Sequence, residues 1–213
     1  MIAEIENALL AENIPRFWCG TDEAGRGPLA GPVTAAAVVF EPDAKIPENL
    51  NDSKQLTEKQ RDRLFDEIQA CAKAFAITDI SPQTIDEINI LQASLLAMKQ
   101  SVLKITEYVG GEKAIGMVMI DGNKLIPDFC LPQQCYVKGD ARSYHIAAAS
   151  ILAKVHRDRI MDEMDARYPG YGFAKHKGYP TKAHREAILR LGPSPIHRLT
   201  FNGVIPRQRE LFT

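Results

Sequence analysis

Two adjacent acids, Asp22 and Glu23, lie between an apolar run and a Gly25-Arg26-Gly27 turn. Buried carboxylates without partners cost free energy, so an adjacent pair favours a nearby divalent cation or surrounding water. The turn offers backbone N–H groups and one guanidinium, which suit a phosphate or a sugar hydroxyl. These residue types therefore indicate phosphoryl-transfer chemistry, with metal at the acids and phosphate or sugar recognition at the turn.

Two further acids follow predicted strands. Asp121 ends an apolar run at 114–120, and Asp140 follows a short strand predicted at 135–137. Taken singly, each is better explained as a turn residue, because Asp-Gly and Gly-Asp are common turn dipeptides. Together with the first pair they predict a set of hard oxygen ligands, which favours Mg²⁺ or Mn²⁺ over zinc. Two such ions, about 3.5–4 Å apart, would support phosphodiester hydrolysis.

The strand before the first acidic pair must meet a geometric condition. Neighbouring strand residues point to opposite faces of a sheet, so we predict that this strand ends or twists between Asp22 and Glu23. The glycines that follow would permit such a change of direction.

The remaining pattern predicts a mixed central sheet flanked by helices. Two Thr-x-x-Gln/Glu patterns, at 57–60 and 84–87, indicate helix starts. Hairpin-like strands come first, and strands alternating with helices follow, which is typical of an α/β fold. Apolar runs predict strands at 17–20, 33–40, 74–78, 114–120 and 135–137, and helical periodicity predicts helices at 90–105, 141–166 and 181–191.

Length and composition predict one domain over residues 1–213. The chain is 45% hydrophobic, which is enough for a substantial single core. No apolar run approaches the roughly 18 residues of a membrane span, and the acidic N-terminus does not resemble a signal peptide. We therefore expect a cytoplasmic protein without membrane contact, and nothing in the sequence indicates more than a monomer. The four cysteines are scattered, which favours buried thiols over zinc or disulfide sites.

The charge distribution is uneven although the net charge is only −1. Between residues 171 and 209 there are eight Lys or Arg and one acid, a net charge of +7, so the remainder has −8. A basic C-terminal segment, at about 168–213, could bind a polyanion such as nucleic acid. An ordinary solvated basic surface explains it about equally well.

These motifs resemble the ribonuclease HII family, the type 2 ribonucleases H. The matching segments occur in family order and span almost the whole chain. They are Asp22-Glu23-Ala24-Gly25-Arg26-Gly27-Pro28, Asn51-Asp52-Ser53-Lys54, Ile120-Asp121-Gly122-Asn123, Lys138-Gly139-Asp140, the stretch 147–155, Arg157-Asp158, His176-Lys177-Gly178-Tyr179-Pro180-Thr181 and Ile196-His197-Arg198.

The resemblance implies a ribonuclease H-like fold with a helical C-terminal extension that contains the basic segment. It also implies metal-dependent endonucleolytic cleavage of RNA in RNA–DNA hybrids. Incision 5′ of single ribonucleotides embedded in duplex DNA, leaving 3′-hydroxyl and 5′-phosphate ends, is implied as well. The implied catalytic and metal ligands of this two-metal-ion hydrolysis, with Mn²⁺ or Mg²⁺, are Asp22, Glu23, Asp121 and Asp140.

Substrate-binding roles follow from the same resemblance. Gly25, Arg26 and Gly27 would contact the ribose 2′-hydroxyl, the group that distinguishes RNA from DNA. Tyr179 would stack on the deoxyribose after the ribonucleotide and so select an RNA-to-DNA junction. Lys54 and Arg198 are predicted to contact phosphate.

Two further predictions concern residues outside these motifs. Gln208-Arg209-Glu210-Leu211-Phe212 fits a short Gln-x-x-Leu-Phe pattern of bacterial sliding-clamp ligands, which predicts a clamp partner. Among the histidines, His145 and His156 are predicted to be structural, and His176 and His197 to assist near phosphate.

Three alternatives use related scaffolds. A non-catalytic nucleic-acid binder would gain nothing from four acids at strand ends, because they repel phosphate. A transposase- or integrase-like nuclease would not need a turn that contacts a 2′-hydroxyl. A type 3 ribonuclease H is expected to have an N-terminal substrate-binding domain, for which there is little room before Asp22.

Overall fold

A five-stranded mixed sheet forms the centre of the protein. The computed structural model describes residues 2–14, 17–48, 50 and 56–205. The spatial order of the strands is β3-β2-β1-β4-β5. In chain order the strands are β1 (Phe17–Ala24), β2 (Val33–Val39), β3 (Ala74–Ile80), β4 (Ile115–Asp121) and β5 (Gln133–Tyr136).

The strand directions divide the sheet into two parts. β1, β2 and β3 pair antiparallel, whereas β1, β4 and β5 pair parallel. Because β1 and β4 run in the same direction, their carboxyl ends lie at the same edge of the sheet. Ligand sites of open α/β sheets form at that edge.

Helices cover both faces of the sheet. β2 shows the separation: Ala35 and Ala37 belong to the core beneath α3, whereas Ala36 and Val38 belong to the core beneath α2 and α4, as the two-residue period of a strand requires. The helices in chain order are α1 (Glu4–Ala11), α2 (Glu58–Cys71), α3 (Pro82–Val109), α4 (Tyr144–Arg167), α5 (Phe173–His176) and α6 (Lys182–Leu191).

The two predicted helix starts have different outcomes. The capping box at Thr57 and Gln60 is confirmed, with both reciprocal hydrogen bonds formed. The prediction at Thr84 is wrong, because α3 begins at Pro82 and Ser81 is its N-cap. α3 is kinked at Asn89, whose φ is 66°. The side-chain oxygen of Asn89 accepts the backbone N–H groups of Leu91 and Gln92 and so caps the helical residues that follow.

Of the two forms of the prediction for β1, an end or a twist between Asp22 and Glu23, the first is wrong. Asp22 pairs with Ala36 and Glu23 with Ala35, so the strand continues through both acids. Both acids nevertheless line one pocket, close to the end of the strand.

The segment after α4 packs on the loop between β1 and β2. Leu29 and Gly31 donate backbone hydrogen bonds to the carbonyls of Gly178 and Ile196, and Arg198 donates one to the carbonyl of Leu29. The C-terminal segment thereby fixes the loop that follows the acidic pair. Among the described residues, no helix is both long enough and apolar enough to cross a membrane.

Candidate active site

Three carboxylates from two neighbouring strands line one pocket of about 280 Å³. Asp22 and Glu23 lie near the end of β1, and Asp121 is the last residue of β4. The parallel register pairs Thr21 with Ile120, so Asp22 and Asp121 have equivalent places on adjacent strands. Strand pairing therefore brings together acids that are distant in sequence.

Each of the three carboxylates has a donor nearby. Asp22 Oδ1 accepts the backbone N–H of Glu23 at 2.7 Å, and Glu23 Oε1 lies 3.4 Å from Nη1 of Arg26. Asp121 Oδ1 accepts the backbone N–H of Gly139 at 2.7 Å. These contacts fix one oxygen of each carboxylate.

Negative charge is concentrated in this pocket. Burial, followed by the charges of Glu23 and Asp121, raises the pKa of Asp22 well above its usual range. Burial also raises the pKa of Glu23, an effect that Arg26 opposes and Asp121 increases. Ionising these groups together is costly, and a bound cation would offset the cost. A donor set made only of carboxylate oxygens fits Mg²⁺ or Mn²⁺.

The fourth predicted acid, Asp140, lies in a short 3₁₀ turn, Gly139–Ala141, and is 6% exposed. As far as the described residues go, the pocket lining does not include Asp140. Within that part of the chain, no group of three or more His, Cys, Asp or Glu side chains is arranged to hold a metal ion. The structure thus brings three of the four acids together and places the fourth next to Gly139, the residue that donates to Asp121.

The Gly25-Arg26-Gly27 turn forms another part of the lining. Gly25 has a φ of 94°, and a Cβ there would lie 2.1 Å from Nε of Arg157, so neither conformation nor space admits a side chain. A Cβ on Gly27 would instead make an ordinary contact with the ring of Tyr179, at 3.6 Å. The backbone of the turn is therefore open toward the pocket beside Tyr179.

Two buried guanidinium groups support this turn from inside the protein. Arg157 donates hydrogen bonds to three backbone carbonyls, at 3.0–3.1 Å. Arg198 is 0% exposed, and burial together with the charge of Arg157 lowers its pKa to about 9. Its guanidinium donates, at 2.6–3.1 Å, to the carbonyls of Gly25, Arg26, Pro28, Gly31 and Pro32.

This placement contradicts the prediction that Arg198 contacts phosphate. No part of its side chain reaches the surface, and its donors are engaged by the backbone of the turn. The sequence could not distinguish the two roles, because a cation in a basic segment suits either one. Arg198 is instead placed to hold the turn in shape.

Tyr179 lines the pocket and is 42% exposed. Its backbone carbonyl accepts the N–H of Thr181 at 2.8 Å and lies 3.0 Å from Nδ1 of His184. The loop that bears the ring is therefore anchored through its main chain, while the ring itself faces the pocket.

Two buried histidines, His184 and His197, connect the Tyr179 loop to Ser194 by hydrogen bonds. Nδ1 of His197 accepts the backbone N–H of Ser194 at 2.8 Å, so the ring proton of neutral His197 is on Nε2. That nitrogen lies 3.0 Å from Nε2 of His184, which must then accept, leaving the His184 proton on Nδ1 to reach the carbonyl of Tyr179. We call this chain of hydrogen bonds, from Ser194 through His197 and His184 to Tyr179, the histidine relay. The prediction that His197 assists near phosphate is wrong, since His197 is 2% exposed and both of its ring nitrogens are engaged in the relay.

Sequence reasoning missed three polar residues of the pocket lining. Arg61 comes from α2, and Ser150 and Lys154 come from α4. The hydroxyl of Ser150 donates to Asp22 and lowers the pKa of that acid, which opposes the effect of burial. Ser150 and Lys154 are four residues apart and so share a helix face, a signal visible in an otherwise Ala-rich helix.

Two predicted contacts lie outside the described residues. They are Lys54, predicted to bind phosphate, and the segment Gln208 to Phe212, predicted to bind a sliding clamp.

Comparison with known sequences assigns this site to a family of nucleases. The sequence profile described as "Ribonuclease HII" matches residues 19–204. A protein named Ribonuclease HII from Francisella tularensis subsp. tularensis (strain WY96-3418) is 53% identical over 185 residues, which is 87% of this chain and 95% of that protein. The Ribonuclease HII of Francisella tularensis subsp. novicida (strain U112) is 52% identical, over 87% of this chain and 96% of its own length.

Solved structures show the same fold. The ribonuclease H2 of Pyrococcus horikoshii OT3 is 26% identical, with a TM-score of 0.67 over 88% of this chain and 95% of that chain. The Archaeoglobus fulgidus RNase HII, solved in complex with PCNA, is 24% identical, with a TM-score of 0.70 over 92% and 98%. The Bst-RNase HIII solved with Mn²⁺ is 19% identical, with a TM-score of 0.71 over 92% and 71%. The last two similarities concern the fold alone.

Proposed function

Because the chain belongs to the ribonuclease HII family and is a ribonuclease H endonuclease, we propose that it incises duplex DNA 5′ of single embedded ribonucleotides. The proposed products are a 3′-hydroxyl and a 5′-phosphate, and RNA in longer RNA–DNA hybrids is a second substrate. One observation supports this proposal above the others. The carboxylates of Asp22, Glu23 and Asp121 share a pocket with an open Gly25-Arg26-Gly27 backbone.

The acids of this pocket are the proposed ligands of Mg²⁺ or Mn²⁺. Asp22, Glu23 and Asp121 would bind from the strand ends, and Asp140 would complete the set from the adjoining turn. When bound there, such a cation lowers the pKa of the attacking water and stabilises negative charge on the phosphate oxygens. Burial and the neighbouring carboxylates raise the pKa values of Asp22 and Glu23, and a cation bound by these acids would offset the cost of ionising them.

The turn supplies the proposed selectivity for ribose. The backbone of Gly27 can approach a sugar closely because no Cβ stands between it and the pocket beside Tyr179, while the missing Cβ of Gly25 lets the turn pack on Arg157. A 2′-hydroxyl would hydrogen-bond there, whereas a deoxyribose would leave the same groups unpaired. Arg26, whose side chain is 51% exposed, is free to turn from Glu23 toward a phosphate.

The remaining lining residues position the duplex. The ring of Tyr179 is proposed to stack on the deoxyribose that follows the ribonucleotide. Arg61 and Lys154 extend from helices into the same pocket and are proposed phosphate contacts. Lys54, which lies outside the described residues, is a further proposed phosphate contact.

The incision site and the role of the 2′-hydroxyl can be tested together. Three end-labelled duplexes would differ at one sugar, which is ribose, deoxyribose or 2′-O-methylribose. We expect one cut, immediately 5′ of the ribose, with a product whose 3′-hydroxyl a polymerase can extend. The other two duplexes should bind but resist cleavage. Equal cleavage of the ribose and 2′-O-methyl duplexes, or a cut 3′ of the ribose, would refute the proposed selectivity.

A sliding-clamp contact through Gln208 to Phe212 is a separate proposal that rests on the sequence motif. Removing residues 208–213 should abolish clamp binding and leave cleavage of a short duplex unchanged. Clamp binding that survives the truncation would exclude this motif as the contact.

A further inference from the structure

The N-terminal helix α1 lies outside the family match, which begins at residue 19. Its apolar residues Ile5 and Leu9 pack against Trp18, Met119 and Ile146. These three come from β1, β4 and the first turn of α4, close to the strands that end in the acidic pocket. α1 therefore lies outside the matched region and packs on the two strands that carry Asp22, Glu23 and Asp121.

Polar contacts join α1 to the turn that bears Asp140. Glu6 is 2% exposed, and its Oε1 accepts the hydroxyl of Ser143 at 2.6 Å and lies 3.0 Å from Nδ1 of His145. The backbone N–H of Ile5 donates to the carbonyl of Arg142 at 3.3 Å. The turn is thus attached to α1 by both side-chain and main-chain bonds.

The same turn reaches the acids directly. The N–H of Ser143 donates to the carbonyl of Gly139 at 2.8 Å, and the N–H of Gly139 donates to Asp121 Oδ1 at 2.7 Å. Asp140 lies between these two residues in the chain and is itself buried. Three hydrogen bonds, one from Ser143 to Glu6 and two between Ser143 and Asp121, therefore connect the two carboxylates.

We propose that Glu6 is a positioning residue for the metal site, fixing the 139–143 turn so that Asp121 and Asp140 are preorganised for a divalent cation. The proposal rests on the proposed function, since it assumes that these acids bind metal. Glu6 is connected to these acids through Ser143 and Gly139, and it also contacts His145 at the start of α4.

The cost of this arrangement favours a role beyond stability. Burying a carboxylate is expensive, and an apolar side chain is the usual residue on the inner face of such a helix. Within the described residues, Oε2 of Glu6 has no hydrogen-bond partner, so the penalty is only partly offset. Replacing Glu6 by leucine removes the buried partner of Ser143 and His145 and is expected to lower stability, so Mn²⁺ affinity is the measurement that distinguishes a positioning role from a purely stabilising one.

The test compares Mn²⁺ binding by variants of the full-length protein without nucleic acid. Glu6→Leu removes the acceptor, whereas Glu6→Gln keeps an oxygen that can accept from Ser143. Glu4→Gln is the matched control, because Glu4 pairs with Arg142 of the same turn through exposed side chains. Isothermal titration calorimetry gives the Mn²⁺ affinity, thermal unfolding gives stability, and Asp121→Asn defines binding away from the site.

We expect Glu6→Leu to bind Mn²⁺ about tenfold more weakly, in the range found when partners of metal ligands are removed. Glu6→Gln should recover most of that loss, and Glu4→Gln should match the wild type. Turnover by Glu6→Leu should fall at low Mn²⁺ and return at saturating Mn²⁺. If Glu6→Leu does not fold, Glu6→Asp retracts the carboxylate by one methylene and provides the same comparison.

Two results would overturn the proposal and differ in meaning. Wild-type Mn²⁺ affinity in folded Glu6→Leu, whatever its melting temperature, would leave α1 a purely stabilising element. Identical Mn²⁺ binding by the wild type and Asp121→Asn would instead refute the metal site itself, and the role of Glu6 with it.

Discussion

The ring of Tyr179 lies beside Gly27 at the edge of the pocket, with 42% of the residue exposed. A ring placed there can stack on a sugar or base that follows the ribonucleotide. Its main chain is fixed by Thr181 and His184, so truncating the side chain should leave the loop in place. This makes Tyr179 suitable for a test of substrate preference that does not depend on stability.

We predict that Tyr179→Ala slows cleavage at a single ribonucleotide about tenfold more than cleavage within a long hybrid. Stacking on an aromatic ring is worth about 1–3 kcal/mol, and a junction offers only one position for it. Tyr179→Phe, which keeps the ring, is the control and should behave like the wild type. Equal slowing of both substrates by Tyr179→Ala would contradict a role in junction selection.

Arg198 is buried and bonds to the backbone of the turn, although its residue type alone suggested a contact with phosphate. We predict that Arg198→Met lowers the free energy of unfolding by at least about 3 kcal/mol, because several buried carbonyls lose their donor. Arg190→Met is the control, since the guanidinium of Arg190 lies in an exposed contact with the carbonyl of Gly170. Urea unfolding measures both variants.

A contact between Arg198 and phosphate would give a different experimental result. If its guanidinium contacted phosphate, Arg198→Met would keep its stability and show a shallower dependence of duplex affinity on salt concentration. That outcome would restore the original prediction.

At the scale of elements, the pair His184 and His197 joins the loop of Tyr179 to the segment that precedes Arg198. The relay needs both rings neutral, because only one proton fits between the two Nε2 atoms. Burial lowers the pKa of each histidine to about 4. The charge of His184 further lowers the pKa of His197, and the charge of His176 lowers the pKa of both.

This relay makes stability depend on pH. The folded pKa values, about 4, lie below the ordinary value of 6.5, so the unfolded chain binds protons at a higher pH than the folded chain. The contribution of the relay is therefore complete above pH 6.5 and is lost as the pH falls from 6.5 toward 4. We predict the uptake of about one proton per histidine on unfolding near pH 5.

Urea unfolding between pH 8 and pH 4.5 measures this dependence. His184→Gln should show a smaller decline toward acid than the wild type, because one of the two titrating groups is absent. His156→Gln, at a half-buried position bonded to Asp79, is the comparison for the loss of a histidine outside this pair. A decline in His184→Gln as steep as that of the wild type would exclude the relay as its source.

At the scale of the whole molecule, the sequence predicted the sheet and the convergence of acids because both depend on local patterns. Apolar runs mark the strands, and the acid after such a run, as at Asp121, marks a strand end. The same reasoning failed at Thr84, where Ser81 followed by Pro82 provides a better start for the helix. It also failed to foresee that β1 continues through Glu23, since strand pairing with β2 decides that length.

The partners that shape the site were not predictable in the same way. Arg198 bonds to a turn near residue 25, and Glu6 bonds to Ser143, so both contacts join distant parts of the chain. Residue type gives no direction for such contacts, because a buried and a surface arginine look alike in a sequence. Only the fold determines which arginine side chain faces a backbone carbonyl and which faces the pocket.

The most direct test of the proposed metal-dependent active site is incision of the one-ribonucleotide duplex by the wild type and Asp121→Asn. Each protein would be assayed in Mg²⁺, in Mn²⁺ and in chelator, with urea unfolding to confirm that the variant is folded. We predict incision 5′ of the ribonucleotide by the wild type with a metal ion only. We also predict that the turnover of folded Asp121→Asn falls at least about a hundredfold, because the substitution replaces one carboxylate oxygen by an amide nitrogen and removes the negative charge. Incision by the wild type in chelator, or near-normal turnover by Asp121→Asn, would contradict the carboxylate pocket as the catalytic metal site.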